Sequence, residues 1–187
     1  VLGSAQSNEI LSAERVELMA RIRDAAILEA QNLGVEVARE GGCLCGEARY
    51  LVSGYPEPRG VCHCRYCQLR TGSAFAVLAY FKPENFSLKS GQLTHYRFTS
   101  ESDKQWDINF CSKCGTTVYY QLEAWGDLIG IDGGTLDPPT FFFDIAREVF
   151  TKSKAHFVGD IRAAGHFETF PGYEPKIREE QRLKSSE

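Results

Sequence analysis

Seven cysteines fall in three clusters: Cys43-x-Cys45, Cys62-x-Cys64-x2-Cys67 and Cys111-x2-Cys114. Close clusters separated by tens of residues are the spacing of zinc sites rather than of a disulfide framework, which would leave one of seven thiols unpaired. No secretory pattern precedes them, because charges interrupt every apolar run before Gly34. The expectation is therefore a reducing compartment, the cytoplasm, where disulfides are uncommon.

A structural zinc site is closed by four ligands, and a catalytic one keeps a position open. Seven thiols divide accordingly into four and three. Cys62, Cys64 and Cys67 lie within six residues, so one metal can take all three without closing a long loop. Cys43, Cys45, Cys111 and Cys114 remain as a four-thiolate set. It would tie the start of the domain to its middle. A glycine follows each pair, in "CLCG" and "CSKCG". It allows the chain to turn under the metal with N–H groups facing sulfur. Two alternatives stand beside this division. Cys111 and Cys114 could be a redox pair, although no parallel βαβ pattern surrounds them. The triple could be a second structural site completed by His95 or His156. His63 is a poor fourth ligand, since it sits between two others.

Three thiolates on Zn2+ leave a net charge of −1. Such a metal acidifies water weakly and suits a fourth ligand that is itself soft, a substrate thiol. A free thiol has a pKa of about 8.5, and coordination deprotonates it. The open site is suited to handling sulfur rather than to hydrolysing a peptide.

Around the cysteines, the chain reads as mainly β. Short β-like runs punctuated by Gly, Pro, Ser and Asn cover Ala48–Val52, Ala74–Phe81, Leu93–Phe98, Gln105–Phe110, Thr116–Leu122 and Leu128–Asp132, with Ala155–Val158 as a further candidate. Phe141–Phe150 is apolar and ambiguous. Residues 9–33 carry Leu11, Leu18, Ile22 and Ala25 at helical spacing and end at Gly34. The expected organisation is a helical arm over 1–35, a zinc-binding β domain over 36–175 and a charged tail over 176–187. The arm's apolar stripe either packs on its own domain or joins two copies in a homodimer. No apolar stretch reaches the roughly 18–20 residues that span a bilayer. The net charge of −4 and the absence of a dense Lys/Arg run argue against nucleic acid.

Three blocks, "GGCLCGEARY" at 41–50, "CHCRYCQLRTGSAF" at 62–75 and "FCSKCGTTVYY" at 110–120, resemble the glutathione-dependent formaldehyde-activating enzyme family, which includes centromere protein V. "AHFVGD" at 155–160 and "FPGYEP" at 170–175 resemble a weaker version of the family's close. The resemblance covers residues 40–175. It implies several coiled, mostly antiparallel β-sheets around zinc, two Zn2+ per chain, with Cys43, Cys45, Cys111 and Cys114 structural and Cys62, Cys64 and Cys67 catalytic. The implied activity is condensation of glutathione with formaldehyde to S-hydroxymethylglutathione, a carbon–sulfur lyase chemistry. The helical arm and "IRAAGHFETF", which lacks the family's frequent tryptophan, depart from the pattern, so the substrate transfers less well than the fold.

The expected function is a zinc carbon–sulfur lyase whose partners are a small thiol such as glutathione and an aldehyde or thiol adduct. Arg65 and Arg70, beside the metal turn, are candidates to grip an anionic thiol, with Arg59 nearby. The bland account of each is a solvated surface arginine. Tyr66 either lines the pocket or packs. The competing readings are a non-catalytic zinc module for a protein or nucleic-acid partner, and a related lyase with a different thiol.

Overall fold

Apolar residues on alternate positions of the strands decide how the sheets stack. In the computed structural model, residues 37–176 and Leu18 are described. The helix expected over 9–33 and the tail beyond Lys176 lie outside the described residues. From Ala38 onward the described residues belong to one compact unit.

Eleven strands and one helix follow in order: β1 Ala38–Gly42, β2 Arg49–Ser53, β3 Arg59–Cys62, α1 Arg65–Thr71, β4 Ala76–Phe81, β5 Phe86–Ser90, β6 Leu93–Thr99, β7 Gln105–Cys111, β8 Thr117–Leu122, β9 Ile129–Asp132, β10 Ile145–Val149 and β11 Ala163–Phe167. They form a three-stranded sheet, β1-β2-β5, and an eight-stranded sheet, β11-β10-β3-β4-β9-β8-β7-β6. The chain is mainly β, as expected. Most pairings are antiparallel, but β3, β10 and β11 run parallel to one another.

β4 shows why the large sheet lies mid-molecule. Its "AVLAYF" is apolar throughout, as in strands buried on both faces. Ala79 and Phe81 join a core with Tyr50 and Val52 of the small sheet, while Ala76 and Tyr80 face a second core containing Trp106, Tyr120 and Leu122. The three cysteines Cys62, Cys64 and Cys67 belong to this second core. The sheets are also joined by polar contacts. Tyr50 Oη lies 2.7 Å from Thr135 Oγ1, and the Asp137 N–H donates to Glu40 O at 2.9 Å.

The expected strand at Ala155–Val158 is instead a turn, closed by the Val158 N–H on Ala155 O at 2.9 Å. Phe157 there is exposed, so the alternation "AHFV" has no sheet to join. The ambiguous Phe141–Phe150 resolves into a loop that buries Phe142 and Phe143, followed by β10.

Candidate metal centres

The first cluster is built by two turns, one from each sheet. After β1 the chain turns so that the Cys43 N–H donates to Ala48 O and the Gly46 N–H to Cys43 O, at 2.9 and 3.0 Å. After β7 the Gly115 N–H donates to Cys111 O at 2.9 Å. Gly46 and Gly115 have φ of 78° and 75°, a region where a side chain is strained. This is the role the glycine after each pair was expected to play. The Ala48 N–H points at Cys43 Sγ, 3.2 Å away, and the Leu44 N–H donates to Thr116 Oγ1 across the two turns at 3.2 Å.

The four sulfurs lie within 4.8 Å of one another. Cys43 and Cys45 Sγ are 3.4 Å apart, and Cys45 and Cys111 Sγ 3.8 Å. Tetrahedral zinc, with Zn–S of about 2.3 Å, places its sulfurs about 3.8 Å apart, so the donor set fits. The thiols share protons unevenly. Hydrogen bonds from the Thr116 hydroxyl and backbone hold Cys114 down at about 5. Cys45 is pulled down by the Glu47 backbone N–H, but burial and its sulfur neighbours outweigh this and push it up to about 12. A cation that deprotonates every ligand removes that competition.

The second cluster lies where β3 runs into α1. Cys62 ends the strand, Cys64 caps the helix by accepting the Cys67 N–H at 3.5 Å, and Cys67 sits in the first turn. All three sulfurs are buried and within 4.8 Å of one another. Among the described residues no histidine or carboxylate joins the set. Hydrogen bonds from the Cys62 and Cys64 thiols, aided by the Arg70 charge, hold Cys67 well below the usual thiol range, and the same sharing pushes Cys62 well above it.

Around this turn two buried ion clusters hold the chain. Arg70 makes a two-pronged contact with Asp132, one prong at 2.7 Å, and lies over the Tyr120 ring at 4.3 Å. On the other side His63 is completely buried, and its Nε2 donates to Glu148 Oε1 at 2.9 Å. Lys154 Nζ approaches the same oxygen at 2.9 Å, and His166 Nδ1 donates to Oε2 at 2.6 Å. His63 thus points away from the sulfurs beside it.

A cavity of about 510 Å3 opens onto Cys62, Cys64 and Cys67, within the range of small-molecule sites. Aromatic side chains border it, among them Tyr66, Tyr80, Trp106, Trp125, Phe150 and Phe170, alongside charged groups. Of the residues singled out in the sequence, Tyr66 borders it, stacked on Phe98 at 5.3 Å and Trp106 at 6.2 Å. Arg65 and Arg70 do not border it. Arg59 does, with its guanidinium engaged by Glu57 and Asp144. Sequence reasoning did not single out Arg147 and Glu101, which border the cavity, or Glu148 behind the turn. None of these belongs to a spaced motif that would have marked it.

Among curated proteins no match is found. A solved Rhodobacter sphaeroides protein, determined as a structural-genomics target, is 22% identical, covers 53% of this chain and 88% of its own, and superposes with a TM-score of 0.44. The sequence profile of the glutathione-dependent formaldehyde-activating enzymes matches residues 38–153, more than half of the chain and spanning all three cysteine clusters. The chain belongs to the glutathione-dependent formaldehyde-activating enzyme family.

Proposed function

We propose that the chain is a zinc-dependent carbon–sulfur lyase of the S-hydroxymethylglutathione synthase type, joining a small thiol such as glutathione to formaldehyde or cleaving that adduct. The carrying observation is the cluster of three sulfurs that borders a cavity and has no fourth donor among the described residues. Cys62, Cys64 and Cys67 are assigned as ligands of the catalytic zinc, and Cys43, Cys45, Cys111 and Cys114 as ligands of a structural one. When bound, the catalytic zinc supplies a positive centre on which a substrate sulfur is held as thiolate. The chain does the rest. The His63–Glu148 contact and the Arg70–Asp132 pair fix the cysteine turn from two sides. The aromatic walls keep water from the adduct, and Tyr66 contacts the substrate. Arg70 acts on the reaction through Cys67, whose negative form it favours. Arg65, adjacent to the cysteine turn, is kept as a candidate to receive an anionic end of the thiol. The lyase domain is assigned to residues 36–175.

Cobalt substitution tests this. Sulfur-to-cobalt charge transfer reports each added thiolate, so titration with glutathione should intensify that band in the wild type and fail to do so in Cys67→Ser. Metal analysis should give two zinc ions per chain. A spectrum indifferent to thiols, together with a protein side chain as fourth ligand, would leave a closed, non-catalytic zinc module.

A further inference from the structure

The turn between β6 and β7 buries an acid where a hairpin tip normally meets solvent. It is closed by the Ser100 N–H on Lys104 O at 2.9 Å and the Asp103 N–H on Ser100 O at 3.0 Å. Asp103 is exposed, as such a tip predicts. Glu101 is only 6% exposed. The chain near its described end lies against it, with the Lys176 N–H on Glu101 O at 2.6 Å.

Glu101 borders the same cavity as the three sulfurs. Its Oε2 is buried and has no hydrogen-bond partner among the described residues. A buried carboxylate oxygen without a donor is strongly unfavourable, and such a group calls for an explanation. Of the four Lys and Arg residues that line the cavity, Arg59 and Lys104 are held by other carboxylates, and among the described residues neither Arg147 nor Lys176 bonds Glu101 Oε2. Lys104 contacts Glu123 at 3.2 Å, and Arg59 contacts Asp144 at 2.9 Å. What the carboxylate lacks is a donor that comes with the ligand.

We infer that Glu101 is a specificity-determining residue of this cavity and accepts a hydrogen bond from an ammonium group of the substrate thiol. The inference rests on the reading of Cys62, Cys64 and Cys67 as an open metal site that takes sulfur. It narrows the substrate class to aminothiols, with sulfur at the cysteine cluster and a primary ammonium at Glu101. An ammonium suits this place because an unpartnered buried carboxyl oxygen is met most strongly by a charge-assisted donor. The aromatic pairs Trp125–Phe170 and Phe150–Tyr173, at 5.1 and 5.0 Å, line the same space, and aromatic rings attract a nearby cation. Glutathione belongs to this class, since its ammonium lies on the γ-glutamyl end, away from the thiol. A thiol whose amine is acylated does not.

The experiment is calorimetric titration of the zinc-loaded protein with glutathione and with N-acetylglutathione, in which a neutral acetyl amide replaces the ammonium. In the wild type, acetylation should weaken binding by about tenfold or more, the scale of one charge-assisted hydrogen bond. In Glu101→Gln, glutathione should fall to the level of its acetylated form and the discrimination should vanish, with zinc content and unfolding midpoint unchanged. Equal binding of both thiols by the wild type overturns the assignment, and that comparison decides alone if the variant misfolds. Undiminished discrimination in Glu101→Gln also overturns it. Binding of neither thiol by the wild type is a different failure, since it removes the open-metal reading and this inference with it.

Discussion

Glu148 is a buried carboxylate addressed by three partners, His63, Lys154 and His166. Burial alone would raise its pKa, but hydrogen bonds from Lys154, His166 and His63 outweigh this and hold it below the usual range. Because the folded value is the lower one, the contribution to stability is complete above the unfolded value of about 4.3. It is lost as pH falls through the folded value. Glu148→Gln should destabilise by about 2–3 kcal/mol at pH 7 by urea denaturation, the cost of losing a hydrogen-bonded charge. The gap from the wild type should close only below about pH 4.3. Equal stability at pH 7 would mean that the cluster merely fills space. At this scale the seven cysteines were legible because metal chemistry fixes their spacing. Arg70 was legible as a residue beside the site, whereas its partner Asp132 comes from β9 across the sheet. Glu101 and Glu148 owe their roles to burial, which a single sequence does not display.

The two turns that carry the four-cysteine cluster come from different sheets, β1–β2 and β7–β8. With zinc bound, they become one crosslink between the sheets. Structural zinc in small domains supplies roughly 10–16 kcal/mol of apparent binding free energy, which enters folding directly. Cys43→Ser and Cys111→Ser should therefore lose cooperative thermal unfolding and aggregate. Cys62→Ser should retain the unfolding transition while losing turnover. Identical thermal behaviour of the two classes would refute separate roles. Strands with clear alternation between turn residues, such as β6, β7 and β8, were readable from sequence. β3 was not, because its four residues, Arg59–Cys62, run into the cysteine turn and show too little period. β10 was ambiguous because "FFFDIAREVF" is half loop and half strand. β11, with a glycine in "AAGHF", has little β character and is placed by its parallel pairing with β10.

For the molecule as a whole, the described residues place both cysteine clusters and the cavity in one unit beginning at Ala38. Removing residues 1–34 should therefore leave two zinc ions per chain and a cooperative unfolding transition, since the unit beginning at Ala38 holds both clusters. Metal analysis and calorimetry of the shortened chain check this, and mass in solution tells whether the segment joins two copies. Loss of either zinc would mean that the first 34 residues support the sites. The division of cysteines into four and three, and the linking of the domain's start to its middle, followed from sequence order. The number of sheets and the parallel edge β3-β10-β11 did not. Which strand neighbours which depends on long-range pairing, and local alternation carries no information about it.

Cys62, His63 and Cys64 alternate as an extended chain must, with both sulfurs bordering the cavity and the imidazole bonded to Glu148. The segment between two ligands is thus anchored on the face opposite the metal position. Ordering a free loop costs about 1–2 kcal/mol per residue, and here that ordering is supplied by β10 and β11 before any ion arrives. A backbone shift at Cys62 or Cys64 would draw the His63 imidazole off its carboxylate. A metal held by Cys62, Cys64 and Cys67 would therefore meet a backbone already ordered by β3, β10 and β11.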